Sequence, residues 1–284
     1  MRRLASGCVG VAALVCAACS GSTAGIGSDP PIVGSDGGGP PPGAGPAVTI
    51  HLRGSSAPVT HDDGLSGETP IAQKVTVRSL TLLRSADDPA PLHVFDLGAS
   101  AIEAGLGDGQ DTAIATVAMR GLAAGTFTIA RVGVTFVRYS VAATMHSSGV
   151  AVPGQYDNLQ VLSDGAVVDG QTHGKGWYRF AFAVGCVEYG ALTGDGAPLP
   201  PSSGGTFTLD TSQAQAAYVF PVNVAIDPAA TSAVSLVFEV STFEDFRWQD
   251  ESQPGYASGV YDTTPTSYEP VKSFGANGFR LLVQ

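Results

Sequence analysis

Few residues in this chain are of a type and spacing that could do acid–base, nucleophilic or metal chemistry. Nucleophilic hydrolysis needs a serine or cysteine held beside a histidine. No G-x-S-x-G elbow occurs, and Cys186 falls in the apolar run Phe182-Ala-Val-Gly-Cys-Val with no polar neighbour to lower its pKa. That run predicts a small, reduced, buried core residue. The histidines, His51, His61, His93, His146 and His173, show no H-x-x-x-H or H-x-H spacing. His61-Asp62-Asp63 and Met145-His146 come nearest to a transition-metal ligand set, and both read as an exposed turn or a strand end. Asp108-Gly109-Gln110-Asp111 places two carboxylates around a glycine, which makes Asp108 and Asp111 weak candidates for extracellular calcium. The full D-x-[DN]-x-[DN]-G pattern is missing. Asp-Gly recurs at 164–165, 169–170 and 195–196, so a polar turn accounts for it equally well.

The most individual stretch runs from Phe243 to Pro270. It gathers Trp248, Tyr256, Tyr261 and Tyr268 among Asp, Glu, Gln and Thr. Flat aromatic rings beside planar hydrogen-bonding groups suit sugar faces and protein hot spots. One expectation is therefore a surface for a glycan or protein partner, in which these four rings make contact and Arg247 adds a cation–π or carboxylate interaction. The competing expectation is a long loop whose aromatics fold back over the end of the body. Glu244, Asp245, Asp250 and Glu251 could supply the paired carboxylates of a glycosidase, but nothing in the sequence sets their separation. The reading that follows is a non-enzymatic binding or structural protein with no cofactor beyond the calcium candidates. The alternative is an envelope hydrolase, or a protein handling calcium or another metal, that uses acidic loop residues.

The elements that must position these residues read as strands. Short runs rich in Val, Thr, Phe and Ile alternate with Gly, Pro, Asp and Ser clusters from Ala47 onward. Strands are expected near 48–53, 74–84, 92–97, 112–119, 126–143, 158–168, 177–189, 206–210, 216–226, 233–243 and 278–283. A phase slip near Ser79 predicts a bulge, and another near Arg131–Val132 predicts a bend or bulge. Only 99–105 and 212–217 look weakly helical. The fold class is all-β, an antiparallel β-sandwich over 47–284, with a second small sandwich beginning near 149–155 as the other division. Leu122-Ala-Ala-Gly125-Thr-Phe127-Thr-Ile129 resembles the turn-into-strand of prealbumin-like and other Ig-like bacterial sandwiches. That resemblance implies a glycine turn followed by an aromatic plugging the core.

Composition narrows the class. The chain has 284 residues, a net charge of −11 and only 14% charged side chains, against roughly 25% in an ordinary soluble domain. No basic stripe exists to neutralise phosphates, which excludes a nucleic-acid partner. At the N-terminus, Met1-Arg2-Arg3 precedes a twelve-residue apolar run, Gly7 to Ala18. That run is too short to span a hydrocarbon core of ~30 Å and fits a signal-peptide h-region over 1–18. It ends in Cys16-Ala-Ala-Cys19, which resembles the lipobox of bacterial lipoproteins and implies acylation of Cys19 after cleavage. The other reading is a secretory signal cut near Ala18 or Ala24. Residues 20–46 contain nine Gly and six Pro, so 19–46 reads as a lipidated cysteine and disordered tether. Once Cys8 and Cys16 leave with the signal and Cys19 is acylated, Cys186 has no partner for an intramolecular disulfide. Lipobox, tether and sandwich together resemble surface lipoproteins of Gram-negative bacteria, including myxobacteria. The resemblance implies a membrane partner through the lipid and a place on the outer membrane.

Overall fold

A computed structural model of the protein describes residues 45–197 and 206–284. The signal segment, Cys19 and nearly all of the tether lie outside the described residues. The strands are β1 (Ala47–Ser55), β2 (Ser66–Glu68), β3 (Ala72–Leu83), β4 (Leu92–Asp96), β5 (Ile102–Gly105), β6 (Asp111–Ala118), β7 (Gly125–Ser147), β8 (Val150–Val161), β9 (Ala166–Val168) and β10 (Gln171–His173). There follow β11 (Tyr178–Val184), β12 (Val187–Gly194), β13 (Thr208–Asp210), β14 (Ala216–Ile226), β15 (Val234–Ser241), β16 (Phe246–Trp248), β17 (Asp262–Thr263), β18 (Val271–Ser273) and β19 (Gly278–Val283). The fold is all-β, as the alternation predicts, with largely antiparallel sheets packed as a sandwich.

One sheet has the order β19-β15-β1-β6, with β1 and β15 running parallel. The facing sheet follows β12-β11-β8-β7-β14-β13, and β3 lies along the other side of β7 carrying β4 and β5. Every second residue of β1 turns inward: Val48, Ile50 and Leu52 are buried while Thr49, His51 and Arg53 are not. These meet Leu80, Leu82, Phe127, Val132 and Phe220 from the opposite sheet in the main core. Gly125, at φ +153°, delivers the chain into β7, and Phe127 is fully buried two residues later. The aromatic plug implied by the prealbumin-like resemblance is present.

The 23-residue β7 is the spine of the fold. Its first half pairs with β14 up to Val134, and its second half pairs with β8 from Phe136. Pairing with β3 slips between Val75 and Val77 and again between Val77 and Ser79. The bulge expected near Ser79 is thus found. The bend or bulge expected at Arg131–Val132 is not found, since both residues pair regularly with β3 and β14; the irregularity of β7 lies between Val134 and Val137, where it exchanges one neighbour for another. The two weakly helical segments are corrected as well. Residues 98–100 form a single 3-10 turn before β5, and 212–215 form a bend before β14. Residues 149–155 lie at the tip of the β7–β8 hairpin and along β8 itself, inside one continuous ladder.

Cys186 also differs from expectation. The run that reads as one strand is broken by a turn at Gly185, φ +61°, and Cys186 sits exposed at the tip of the β11–β12 hairpin. A strand's alternation cannot bury a residue that belongs to a turn. Cys186 is disulfide-bonded, with its partner outside the described residues.

Candidate functional site

Beyond the main core, β8, β11, β12 and the second half of β7 continue as an overhang. Side chains alternate across it, so the register decides what shares a face. Tyr139 lies opposite Asn158 and Asn158 opposite Phe180, while Tyr178 lies opposite Gln160 and Val141 opposite Tyr156. Tyr139, Tyr156, Asn158, Gln160, Tyr178 and Phe180 therefore look the same way. Phe246 of β16, Tyr261, Tyr268 and Phe274 approach from the C-terminal part of the chain. Between the two lies a cavity of about 510 Å³, rimmed by Asp195, Gly196 and Ala197. Its volume is in the range of small-ligand sites, roughly 300–1,000 Å³.

The rings make walls at different angles. Tyr178 and Phe180 are nearly parallel, 5.7 Å apart at 16°. Tyr268 crosses Phe180 at 76° and 6.2 Å, and Tyr261 crosses Tyr156 at 72° and 6.2 Å. Gly194, across the ladder from Tyr178, makes room for that ring, since a Cβ there would stand 2.7 Å from the Tyr178 hydroxyl. Among the described residues lining the cavity there is no Lys, Arg or His, and the one ionisable acid is Asp195. Asn158 Oδ1 is shielded from solvent and has no hydrogen-bond partner. Burial raises the Tyr139, Tyr156 and Tyr261 hydroxyls above the usual phenol range, and Asp245 adds to the effect on Tyr139. These phenols stay neutral donors and acceptors.

The wall opposite the sheet is held by three acids, Asp250 half-buried and Glu269 and Asp262 buried. Asp250 accepts from Ser66 Oγ at 2.8 Å, Ser258 Oγ at 2.9 Å and Trp248 Nε1 at 3.1 Å. Glu269, only 1% exposed, accepts from the backbone N–H of Glu251 at 2.7 Å and of Asp262 at 2.9 Å. Burial is the main cause that pushes its carboxyl above the usual range. Asp262 in turn takes His146 Nε2 and the Ala257 N–H, each at 2.7 Å. Three carboxylates so placed fix an otherwise irregular segment by satisfying backbone donors that no ladder reaches.

The residues singled out in the sequence fall into different places. Trp248 is fully buried against Phe246 and Tyr261, and the Arg247 guanidinium, 5% exposed, pairs with Asp63 and Glu244 and donates to the Leu65 carbonyl. Both serve the small sheet β18-β16-β2 and the cluster beneath it. Tyr256 is half-buried and tilted at 33° against the His146 ring, 5.0 Å away. Tyr261 and Tyr268 do line the cavity, the first buried and the second exposed. Asp111 pairs with His51 and Arg53, while Asp108 accepts the Ser56 N–H. No cluster of three or more His, Cys, Asp or Glu is placed for a metal among the described residues. Asp245 is 1% exposed in the interior, away from any rim, and Glu244 caps Arg247.

Sequence reasoning missed the sheet half of the cavity. Tyr178 and Phe180 read as core residues of an alternating strand, and Tyr156 and Asn158 carried no signal at all. The chain matches no protein-family model, no curated protein and no solved structure.

Proposed function

We propose that this protein is a lipid-anchored cell-envelope protein of non-enzymatic function, whose β-sandwich captures a protein or glycan by a group that enters the aromatic cavity. One observation carries the reading: the overhang and the 246–274 segment enclose about 510 Å³ whose lining rings include Tyr178, Phe180 and Tyr268, which belong to none of the hydrophobic clusters. Acylated Cys19 and the Gly/Pro tether would hold that cavity away from the outer membrane, facing its partner. The acids of the loop are committed to backbone and side-chain donors, which leaves them little part in hydrolysis. The test is saturation-transfer NMR of the 45–284 body against envelope glycans and peptides, repeated with Phe180→Ser. Saturation of a ligand by the wild type and its loss in a folded variant supports the proposal. Absence of any bound ligand, or binding that survives Phe180→Ser, refutes it.

A further inference from the structure

The cavity's lining has a sign as well as a shape. Its walls are aromatic rings: Tyr178 and Phe180 lie parallel, Tyr268 is set across Phe180 and Tyr156 is tilted against it. The face of an aromatic ring is its negative side, and rings at different angles around one space turn several such faces on the same occupant. The polar lining points the same way. Asp195 puts an exposed carboxylate at the rim, and Asn158 Oδ1 behind the rings is an acceptor with no donor. No positive side chain lines the space among the described residues, and the whole chain carries a net charge of −11. An anion would find hydroxyl and amide donors here but no positive side chain to balance its charge. A neutral apolar group would fill the volume without using the carboxylate.

From this we infer that the group the cavity recognises is an organic ammonium, seated against Phe180, Tyr178 and Tyr268 with Asp195 as its counter-charge. This rests on the cavity being a binding site, as proposed above, and adds the chemistry it selects. The positive charge is shared over the substituents on nitrogen, so an N–CH₃ or an N–H can face a ring while another faces the carboxylate. The arrangement needs no residue to move a proton and no bond to change.

Choline and its neutral isostere 3,3-dimethylbutan-1-ol, titrated into the 45–284 body by calorimetry or NMR shift, separate charge from shape. The expected result is that choline binds about tenfold more tightly than the isostere, in line with a desolvated cation–π contact. Phe180→Leu keeps the site apolar and should remove most of that tenfold preference. Asp195→Asn, at an exposed position, should weaken choline several-fold and leave the isostere unchanged. Equal affinity for both probes, with both weakened by Phe180→Leu, overturns the ammonium inference and leaves the cavity as a binding site. Choline binding that neither variant alters overturns it too, since the cation would then sit elsewhere. If neither probe binds, the inference fails, and the glycan and peptide panel alone decides the cavity reading.

Discussion

Asp245 is a carboxyl group that folding should force to keep its proton. It is 1% exposed, and its Oδ2 accepts one hydrogen bond, from Gln73 Nε2 at 3.0 Å. Its Oδ1 and the Gln73 Oε1 both lack partners. A proton on Asp245 gives this pair of orphan acceptors the donor it is missing. Burial is the main cause that raises the pKa from 3.8 to about 7. In the unfolded chain the carboxyl ionises near 3.8, so between that pH and about 7 the unfolded state binds fewer protons than the folded one. Stability from this group is complete below the unfolded pKa and falls as pH rises towards 7. A gap of roughly three pK units at 1.36 kcal/mol each sets the loss at about 4 kcal/mol. Asp245→Asn reproduces the shape of the protonated acid and cannot ionise. Urea unfolding of both proteins at pH 5, 6, 7 and 8 should show the variant ahead by roughly 1.6 kcal/mol at pH 5, with the gap growing to about 4 kcal/mol at pH 8. Glu68, whose pKa burial raises to about 7, slopes both curves in the same direction and cancels from the difference. A gap between variant and wild type that does not change with pH would show that Asp245 is ionised throughout and refute the reasoning.

Trp248→Ala should cost about 4 kcal/mol, because it empties a fully buried site and removes a donor from Asp250, lowering the melting temperature by roughly 10 °C. In a Trp177→Phe background the remaining Trp248 emission should be blue-shifted and resistant to iodide; a red, quenchable signal would contradict its burial. Gly194→Ala should push the Tyr178 ring aside, weakening any cavity ligand several-fold while changing stability by about 1 kcal/mol or less, as read by titration and melting. Cys19→Ala should shift the full-length protein from the detergent to the aqueous phase, and intact mass should find the wild-type Cys19 acylated; an unmodified mature Cys19 would end the lipoprotein reading.

The fold was legible where one physical signal sufficed. A strand with one face in the core must alternate, and β1 does so in sequence and in burial alike, as does β3 on either side of its slip. Turns were legible for a similar reason, since Asp169-Gly170 adopts two positive φ values between β9 and β10, as a tight hairpin demands. What failed was anything set by a partner strand. The irregularity in β7 sits where β14 hands over to β8, and no property of residues 134–136 announces which neighbour arrives. Cys186 failed because a two-residue turn can be made by one glycine inside an apolar run, and Gly185 was read as a strand residue.

The site was half legible, and for a reason that inverts the expectation. Surplus aromatics on a polar segment suggested an exposed surface, but Phe246 and Trp248 lie in a three-residue strand paired on both sides, and every residue of it is buried. Three residues are too few for alternation to announce a strand, so the segment reads as a loop. Tyr178 and Phe180 show the reverse. Their alternation is genuine, but a strand pattern reports only that one face is shielded from bulk water, and a ligand cavity shields a ring much as a core does. The distinction appears only in register. β11 stands beyond the end of the main core, where its apolar face meets the 246–274 segment across open volume. A sequence can therefore place aromatic residues on a common face without saying whether the space before them is full.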